Sequence, residues 1–73
     1  MEVYSKMINF AKAIKQLREG KGLTQESFAK ELGITTRQLQ RYESGEQLPS
    51  LVKLVEIADQ FNVSTDFLLG RNG

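Results

Sequence analysis

The stretch that decides the fold is 23–45, LTQESFAKELGITTRQLQRYESG. Gly33 divides it into two segments in which apolar residues recur every three or four positions, the period of an α-helix. Thr24 and Thr35 stand directly before these segments, and threonine is favourable at a helix N-cap. Glycine after the first segment favours a helix end there. We therefore predict a helix over Gln25–Leu32, a short turn, and a second helix.

The second helix of this pair has two chemically different faces and is expected to end near residue 44. At about 100° per residue, Leu39, Tyr42 and Glu43 point to one side, which we expect to be buried. Tyr42 is therefore predicted to pack in the core. The opposite side presents two guanidinium groups, an amide and a hydroxyl, from Arg37, Gln40, Arg41 and Ser44.

Three further helices are predicted around this pair, because apolar residues keep the helical period before and after it. The period covers 8–19, 51–61 and a short stretch that begins after Ser64 or Thr65 and ends by Gly70. An N-terminal arm, 1–7, and a frayed tail, 71–73, are expected at the ends. No segment alternates with the period of a strand. The 73 residues are thus expected to form a single all-α domain, a compact bundle of five short helices.

The fourth helix, with Ser50 at its N-cap, has an apolar stripe that we expect to be buried. The stripe consists of Leu51, Leu54, Val55, Ala58 and Phe61. Val52 and Ile57, and Leu68 in the fifth helix, fall outside the main stripes. They are either scattered exposed apolar residues, which are common, or part of a contact with a second chain.

The composition excludes several classes of protein. The chain has no Cys and no His, which excludes disulfides, the usual zinc sites, thiol nucleophiles and histidine acid–base catalysis. With no phosphate-binding glycine loop and little volume for a pocket, we expect no enzyme, cofactor or metal. No apolar run approaches the ~20 residues of a membrane span and no signal peptide is visible, so a cytoplasmic protein is expected.

The outward face of the third helix matches the chemistry of a DNA major groove. Arginine bonds guanine O6 and N7 in a bidentate manner, and glutamine bonds adenine N6 and N7. Helix N-termini suit phosphates, so Thr24, Gln25 and Thr35 are expected near the DNA backbone. The plainer alternative is a solvated helix face beside ordinary helix caps. The net charge of +1 does not choose between them.

The segment 25–44 resembles the helix-turn-helix of the phage repressor/Cro family of bacterial and phage DNA-binding domains. The resemblance extends over about 10–70, most of the chain. It rests on the residues Leu23-Thr24-Gln25, Phe28, Ala29, Leu32-Gly33-Ile34, Leu39, Tyr42-Glu43-Ser44-Gly45, Pro49-Ser50-Leu51 and Val63 to Gly70.

The resemblance implies double-stranded DNA as the partner and assigns roles to particular residues. The base-reading residues would be Thr36, Arg37, Gln40 and Arg41, and the phosphate contacts would come from Thr24, Gln25, Thr35, Ser44 and Gln47. Arg18 and Glu43 would form a pair that holds the first helix against the third.

The resemblance also implies a repressor that pairs through its fifth helix. We expect a homodimer surface at Val52, Phe67 and Leu68, a palindromic operator and no small-molecule effector. The short acidic loop after the third helix and the low net charge predict modest affinity per monomer. The alternative is a protein-interaction module on the same fold, such as an antitoxin or adaptor. A complete small regulator and the DNA-binding part of a longer one both fit.

Overall fold

The computed structural model describes residues 2–71 of the chain. Within this range the backbone forms five α-helices and no β-strand. The helices are α1 (Glu2–Gly20), α2 (Gln25–Leu32), α3 (Thr36–Glu43), α4 (Leu51–Phe61) and α5 (Thr65–Leu69). The all-α prediction is confirmed, and α2 and α4 have the bounds that the periodicity predicts.

Each of the helices α2 to α5 begins after a serine or threonine whose hydroxyl accepts a hydrogen bond from a backbone N–H three residues later. The four N-caps are Thr24, Thr35, Ser50 and Ser64, with donor–acceptor distances of 3.1, 3.0, 3.1 and 2.9 Å. A cap of this kind contributes about 1 kcal/mol. These helices are too short to be stable alone, so the caps supplement the packing that stabilises them.

All five helices contribute side chains to one apolar core. Phe10 of α1 packs edge to face against Tyr42 of α3, with ring centroids 5.4 Å apart and an interplanar angle of 80°. Phe28 of α2 lies against Phe61 of α4 at the same centroid distance. The buried members are Phe10, Ala13, Ile14, Phe28, Ala29, Leu32, Leu39, Tyr42, Leu54, Ile57, Ala58 and Leu68.

The α4 helix buries a different stripe from the predicted one. Leu54 and Ala58 are buried as expected, but Ile57 is also buried, whereas Leu51 and Val55 are exposed. The helix is apolar on more than one side, so two overlapping stripes satisfy the helical period. Packing in the bundle selects the stripe that contains Ile57, and a local period does not contain that information.

The expected N-terminal arm is helical instead, because α1 begins at Glu2 rather than at residue 8. Two contacts follow directly after these extra turns. Ile8 lies so close to Gly45 that its Cδ1 would be 3.1 Å from a Cβ at that glycine, and the Asn9 amide donates to the Leu69 carbonyl at 3.3 Å. They join α1 to the turn after α3 and to the end of α5. Met1 lies outside the described residues.

The C-terminal end of α5 is closed by a glycine in the left-handed conformation. Gly70 has φ 71°, and the Arg71 N–H donates to the Asp66 carbonyl at 2.8 Å. A Cβ at Gly70 would approach the Asn9 side chain to 2.6 Å, so this position requires glycine for both its φ and its space. Arg71 is thus bonded through its backbone and not frayed as expected, and residues 72–73 lie outside the described range.

Candidate nucleic-acid interface

The turn between α2 and α3 is set by Gly33. Its φ of 72° lies in the left-handed region, which glycine adopts without steric cost. The N–H groups of Gly33 and Ile34 donate to the carbonyls of Lys30 and Ala29 at 3.2 and 3.0 Å. Ile34 then packs against the core, which fixes the direction in which α3 leaves the turn.

The inner face of α3 consists of Leu39 and Tyr42, both buried as predicted. Burial raises the pKa of the Tyr42 hydroxyl, because a buried phenolate loses its hydration; a hydrogen bond with Gln38 partly opposes this rise in pKa. Tyr42 is therefore a core residue and does not stack on a base. With the inner face held in this way, the opposite side of α3 is free to face solvent.

The outward face of α3 presents an exposed polar surface. Arg37, Gln40, Arg41 and Ser44 are all exposed, and together with Glu46 they line a shallow concavity of about 330 Å³. Thr36 is half-buried in the first turn of α3. The arrangement brings two guanidinium groups, an amide and a hydroxyl to one surface. The hydrogen-bonding capacity matches base edges and phosphates.

The structure adds a carboxylate to this surface. Gly45 adopts φ 81°, and the Glu46 N–H donates to the Arg41 carbonyl at 3.0 Å, so the chain folds back against the end of α3. Glu46 thereby joins the two arginines in the concavity, although it lies outside the helix. The sequence shows an acid in the loop, but only the left-handed turn at Gly45 places it beside the cations.

The five phosphate-contact candidates differ in their exposure and hydrogen bonding. Thr24 and Thr35 are exposed at the N-termini of α2 and α3, where they serve as caps. The Ser44 hydroxyl is exposed and donates to the Arg41 carbonyl at 3.1 Å. Gln47 is half-buried and does not line the concavity. Gln25, the remaining candidate, is half-buried and hydrogen-bonded through both atoms of its amide.

Beneath this surface the structure brings Arg18 and Glu43 together. The Arg18 Nε and Nη2 donate to Glu43 Oε2 and Oε1 at 2.7 and 3.2 Å, and Nη1 donates to the Leu23 carbonyl at 3.0 Å. The hydrogen bond with Glu43 raises the pKa of Arg18, against the opposing effect of desolvation. A mostly buried pair of this kind gains little net stability, because its Coulomb energy is offset by desolvation. Its clear structural effect is to tie α1 to α3.

The proposed dimer residues have different surroundings. Val52 and Phe67 are 68% and 38% exposed, but Leu68 is 0% exposed and belongs to the core. The expectation that Leu68 lies in a dimer surface is therefore wrong, because α5 turns this side chain inward onto the other helices. Leu51 and Val55, contrary to the predicted stripe, are exposed on α4. We call Leu51, Val52, Val55 and Phe67 the apolar α4–α5 surface.

Among the described residues, no group of three or more His, Cys, Asp or Glu side chains is arranged to hold a metal ion. No described helix has the length and apolar character needed to cross a bilayer.

The short turn between α2 and α3 and the exposed polar face of α3 define a helix-turn-helix domain. Comparison with known proteins agrees with this class: the profile of the helix-turn-helix family matches residues 14–68. The chain belongs to this family, in its Cro/C1-type branch, which is a family of DNA-binding proteins and not of enzymes.

Named relatives support the assignment. The chain is 39% identical over 71 residues to the cryptic phage CTXphi transcriptional repressor RstR of Vibrio cholerae, covering 97% of this chain and 57% of RstR. It is 42% identical over 59 residues to YazB, an uncharacterized helix-turn-helix transcriptional regulator of Bacillus subtilis, covering 81% of this chain and 86% of YazB. This chain thus spans little more than half of the length of RstR.

A solved structure is also similar. A transcriptional regulator from Listeria innocua superimposes with a TM-score of 0.77 at 34% identity, covering 88% of this chain and 60% of that protein. The chain therefore carries a helix-turn-helix DNA-binding domain similar to those of these transcriptional regulators.

Proposed function

We propose that the protein represses transcription by sequence-specific binding of double-stranded DNA, with α3 in the major groove. The observation that carries the proposal is the exposed face of α3, where Arg37, Gln40 and Arg41 lie side by side with Thr36 at the N-terminal end. Arg37 and Arg41 read guanine, and Gln40 reads adenine. Thr24 and Thr35, at two helix N-termini, contact phosphates. The similarity to RstR, a transcriptional repressor, supports the repressor role.

The experiment is selection of bound sequences from a random duplex library, followed by affinity measurements on the selected operator. Arg37→Ala and Arg41→Ala are each expected to lose about 1–3 kcal/mol of binding free energy and to relax the base preference at one position. Lys12→Ala is the matched control, since it removes one cation from an exposed position on α1. If both arginine variants bind the operator as tightly as the parent, the base-reading assignment is overturned.

The salt dependence reports the number of phosphate contacts, and the enrichment of a sequence separates specific binding from general attraction. Each phosphate contact is expected to contribute about −0.9 to the slope of log K against log salt. Weak binding without an enriched sequence, abolished at moderate salt, would contradict the proposal. It would favour instead the adaptor or antitoxin hypothesis, in which the α3 face binds a protein.

We further propose that the protein binds a palindromic operator as a homodimer paired through the apolar α4–α5 surface. Support comes from Leu51 and Val52, sequence neighbours at the start of α4 that are 76% and 68% exposed, since adjacent exposed apolar side chains favour association. A two-fold dimer would place its two α3 helices about 34 Å apart, one turn of DNA. Val52→Asp is expected to shift the mass seen by sedimentation to that of the monomer. Gln16→Asp, on the exposed face of α1, should leave it unchanged.

A further inference from the structure

A chain of side-chain hydrogen bonds connects the buried ion pair to the exposed face of α3. Its members are Arg18, Glu43, Gln25 and Gln40, in that order from inside to outside. The first two form the pair between α1 and α3, and Gln25 is the first residue of α2. Gln25 of α2 therefore bridges two residues of α3, the exposed Gln40 and Glu43, whose side chain is only 5% exposed.

The inner end of this chain determines which way the Gln25 amide points. The ionised Glu43 carboxylate has only acceptor atoms, so a neighbouring group must approach it with a donor. Gln25 meets this requirement with Nε2, which donates to Glu43 Oε1 at 3.0 Å. The reverse orientation would set the Gln25 carbonyl oxygen against a carboxylate oxygen. Gln25 Oε1 consequently points away from Glu43.

The orientation of Gln25 determines that of Gln40 in turn. Gln25 Oε1 is an acceptor, and the Gln40 Nε2 donates to it at 3.4 Å. One N–H of Gln40 is used in this way, which leaves its second N–H and its Oε1 for a ligand on the outward face of α3. A donor and an acceptor in this order match adenine N7 and N6. An exposed hydrogen bond of this length adds little to folding stability, so we consider its effect on the orientation of the Gln40 amide.

We propose that Gln25 is a positioning residue for base recognition: held by Glu43, it fixes the amide of Gln40 in the orientation that selects adenine. The inference rests on the proposed DNA-binding function and gives Gln25 a role different from a phosphate contact. A phosphate contact adds affinity for every sequence, whereas a positioning residue adds discrimination at one base pair.

The test measures the base preference of variants on operators changed at single positions. Gln40→Ala first identifies the position that Gln40 reads. Gln25→Ala is expected to lower the preference for adenine at that same position by about five- to tenfold. The preferences assigned through Arg37→Ala and Arg41→Ala should stay unchanged. An equal loss for all sequences, with the salt slope reduced by about 0.9, would overturn the proposal in favour of a phosphate contact.

Gln25→Lys sharpens the distinction. Lysine still donates to Glu43 or to a phosphate, but it offers no acceptor to Gln40. We expect this variant to bind DNA at least as tightly as the parent while losing the adenine preference. Retention of the preference would overturn the proposal.

A measurement without DNA separates this inference from the proposed function. In the free protein, the side-chain amide NMR signals of Gln40 are expected to shift in Gln25→Ala and to stay in place in Glu26→Ala, which alters the adjacent exposed residue. Unmoved Gln40 signals in Gln25→Ala would overturn the positioning role. A parent protein that selects no operator would overturn the proposed function, and the adenine assignment with it. A selective parent whose preference survives Gln25→Ala would overturn only the positioning role.

Discussion

Helices α3 and α4 differ in what they leave exposed. The α3 helix buries Leu39 and Tyr42 and turns a polar face with two arginines to solvent. The α4 helix also buries one stripe, but its exposed side carries the large apolar side chains of Leu51, Val52 and Val55. Two helices of one small domain therefore present surfaces suited to different partners: hydrogen-bonding groups and positive charge on α3, and apolar area on α4.

The difference also shows when a helical period is informative. On α3 only one side is apolar, so the period alone identifies the buried face. On α4 the period fits two stripes, and the buried one is chosen by the neighbouring helices. A polar face on a helix with one apolar side is thus easier to recognise from sequence than an exposed apolar face.

The largest expected effect comes from a substitution in the buried stripe of α4. Ile57→Ala should lower the free energy of unfolding by about 2–5 kcal/mol, because Ile57 is 1% exposed and its truncation leaves a cavity. Leu51→Ala should change it by less than about 0.5 kcal/mol, since Leu51 is 76% exposed. Urea denaturation measures both. If Ile57→Ala does not fold, Ile57→Val should still cost about 1 kcal/mol. A larger loss of unfolding free energy for Leu51→Ala than for Ile57→Ala would mean that the stripe predicted from sequence is the buried one.

The next prediction compares two glycines in the left-handed conformation, Gly33 in the α2–α3 turn and Gly70 after α5. Their φ angles, 72° and 71°, are nearly equal, and alanine in this region costs about 1–2 kcal/mol. A Cβ at Gly33 meets nothing within 4 Å, whereas one at Gly70 meets Asn9 at 2.6 Å. Gly70→Ala should therefore destabilise the protein more than Gly33→Ala. Equal losses of unfolding free energy would mean that the contact between Gly70 and Asn9 is easily relaxed.

A smaller effect concerns the acid on the α3 surface. Glu46→Gln should raise the affinity for the selected operator by about two- to fivefold, because it removes a negative charge beside Arg37 and Arg41. Asp59→Asn, which removes an exposed acid of α4, is the matched control for the change in net charge. The gain should shrink as salt is raised. If the operator instead bound more weakly to Glu46→Gln than to the control, Glu46 would be a contact to the DNA.

The smallest effect is on the free energy of unfolding at alkaline pH. The pKa of Tyr42 is raised above its ordinary value of 10.0 in the folded protein, so above that pH the unfolded chain ionises while the folded one does not. The contribution of the neutral Tyr42 hydroxyl to the free energy of unfolding is complete below pH 10.0 and is lost as the pH rises through the folded-state pKa. Tyr42→Phe should remove this part of the alkaline decline in unfolding free energy. Identical pH profiles for parent and variant above pH 10.0 would contradict the burial effect.

Much of the candidate site follows from sequence. Thr24 and Thr35 as caps and Gly33 at the turn are local features, and together they are sufficient to predict the helix-turn-helix. The outward position of Arg37 and Arg41 follows from the helical period. Neither the placement of Glu46 in the concavity nor the engagement of Gln25 by Glu43 follows in this way, because each depends on a turn or a helix packing that brings separated residues together.

The sequence by itself determined where the helices begin and end at their caps, and which side of α3 is polar. These features depend on residues within a few positions of one another, where backbone geometry dictates the contacts. Only the tertiary structure decided that α1 starts at Glu2, that α4 buries Ile57, and that Leu68 packs inward. The last two outcomes depend on which distant side chains occupy the same space, and dense packing of the assembled core selects among arrangements that are locally equivalent.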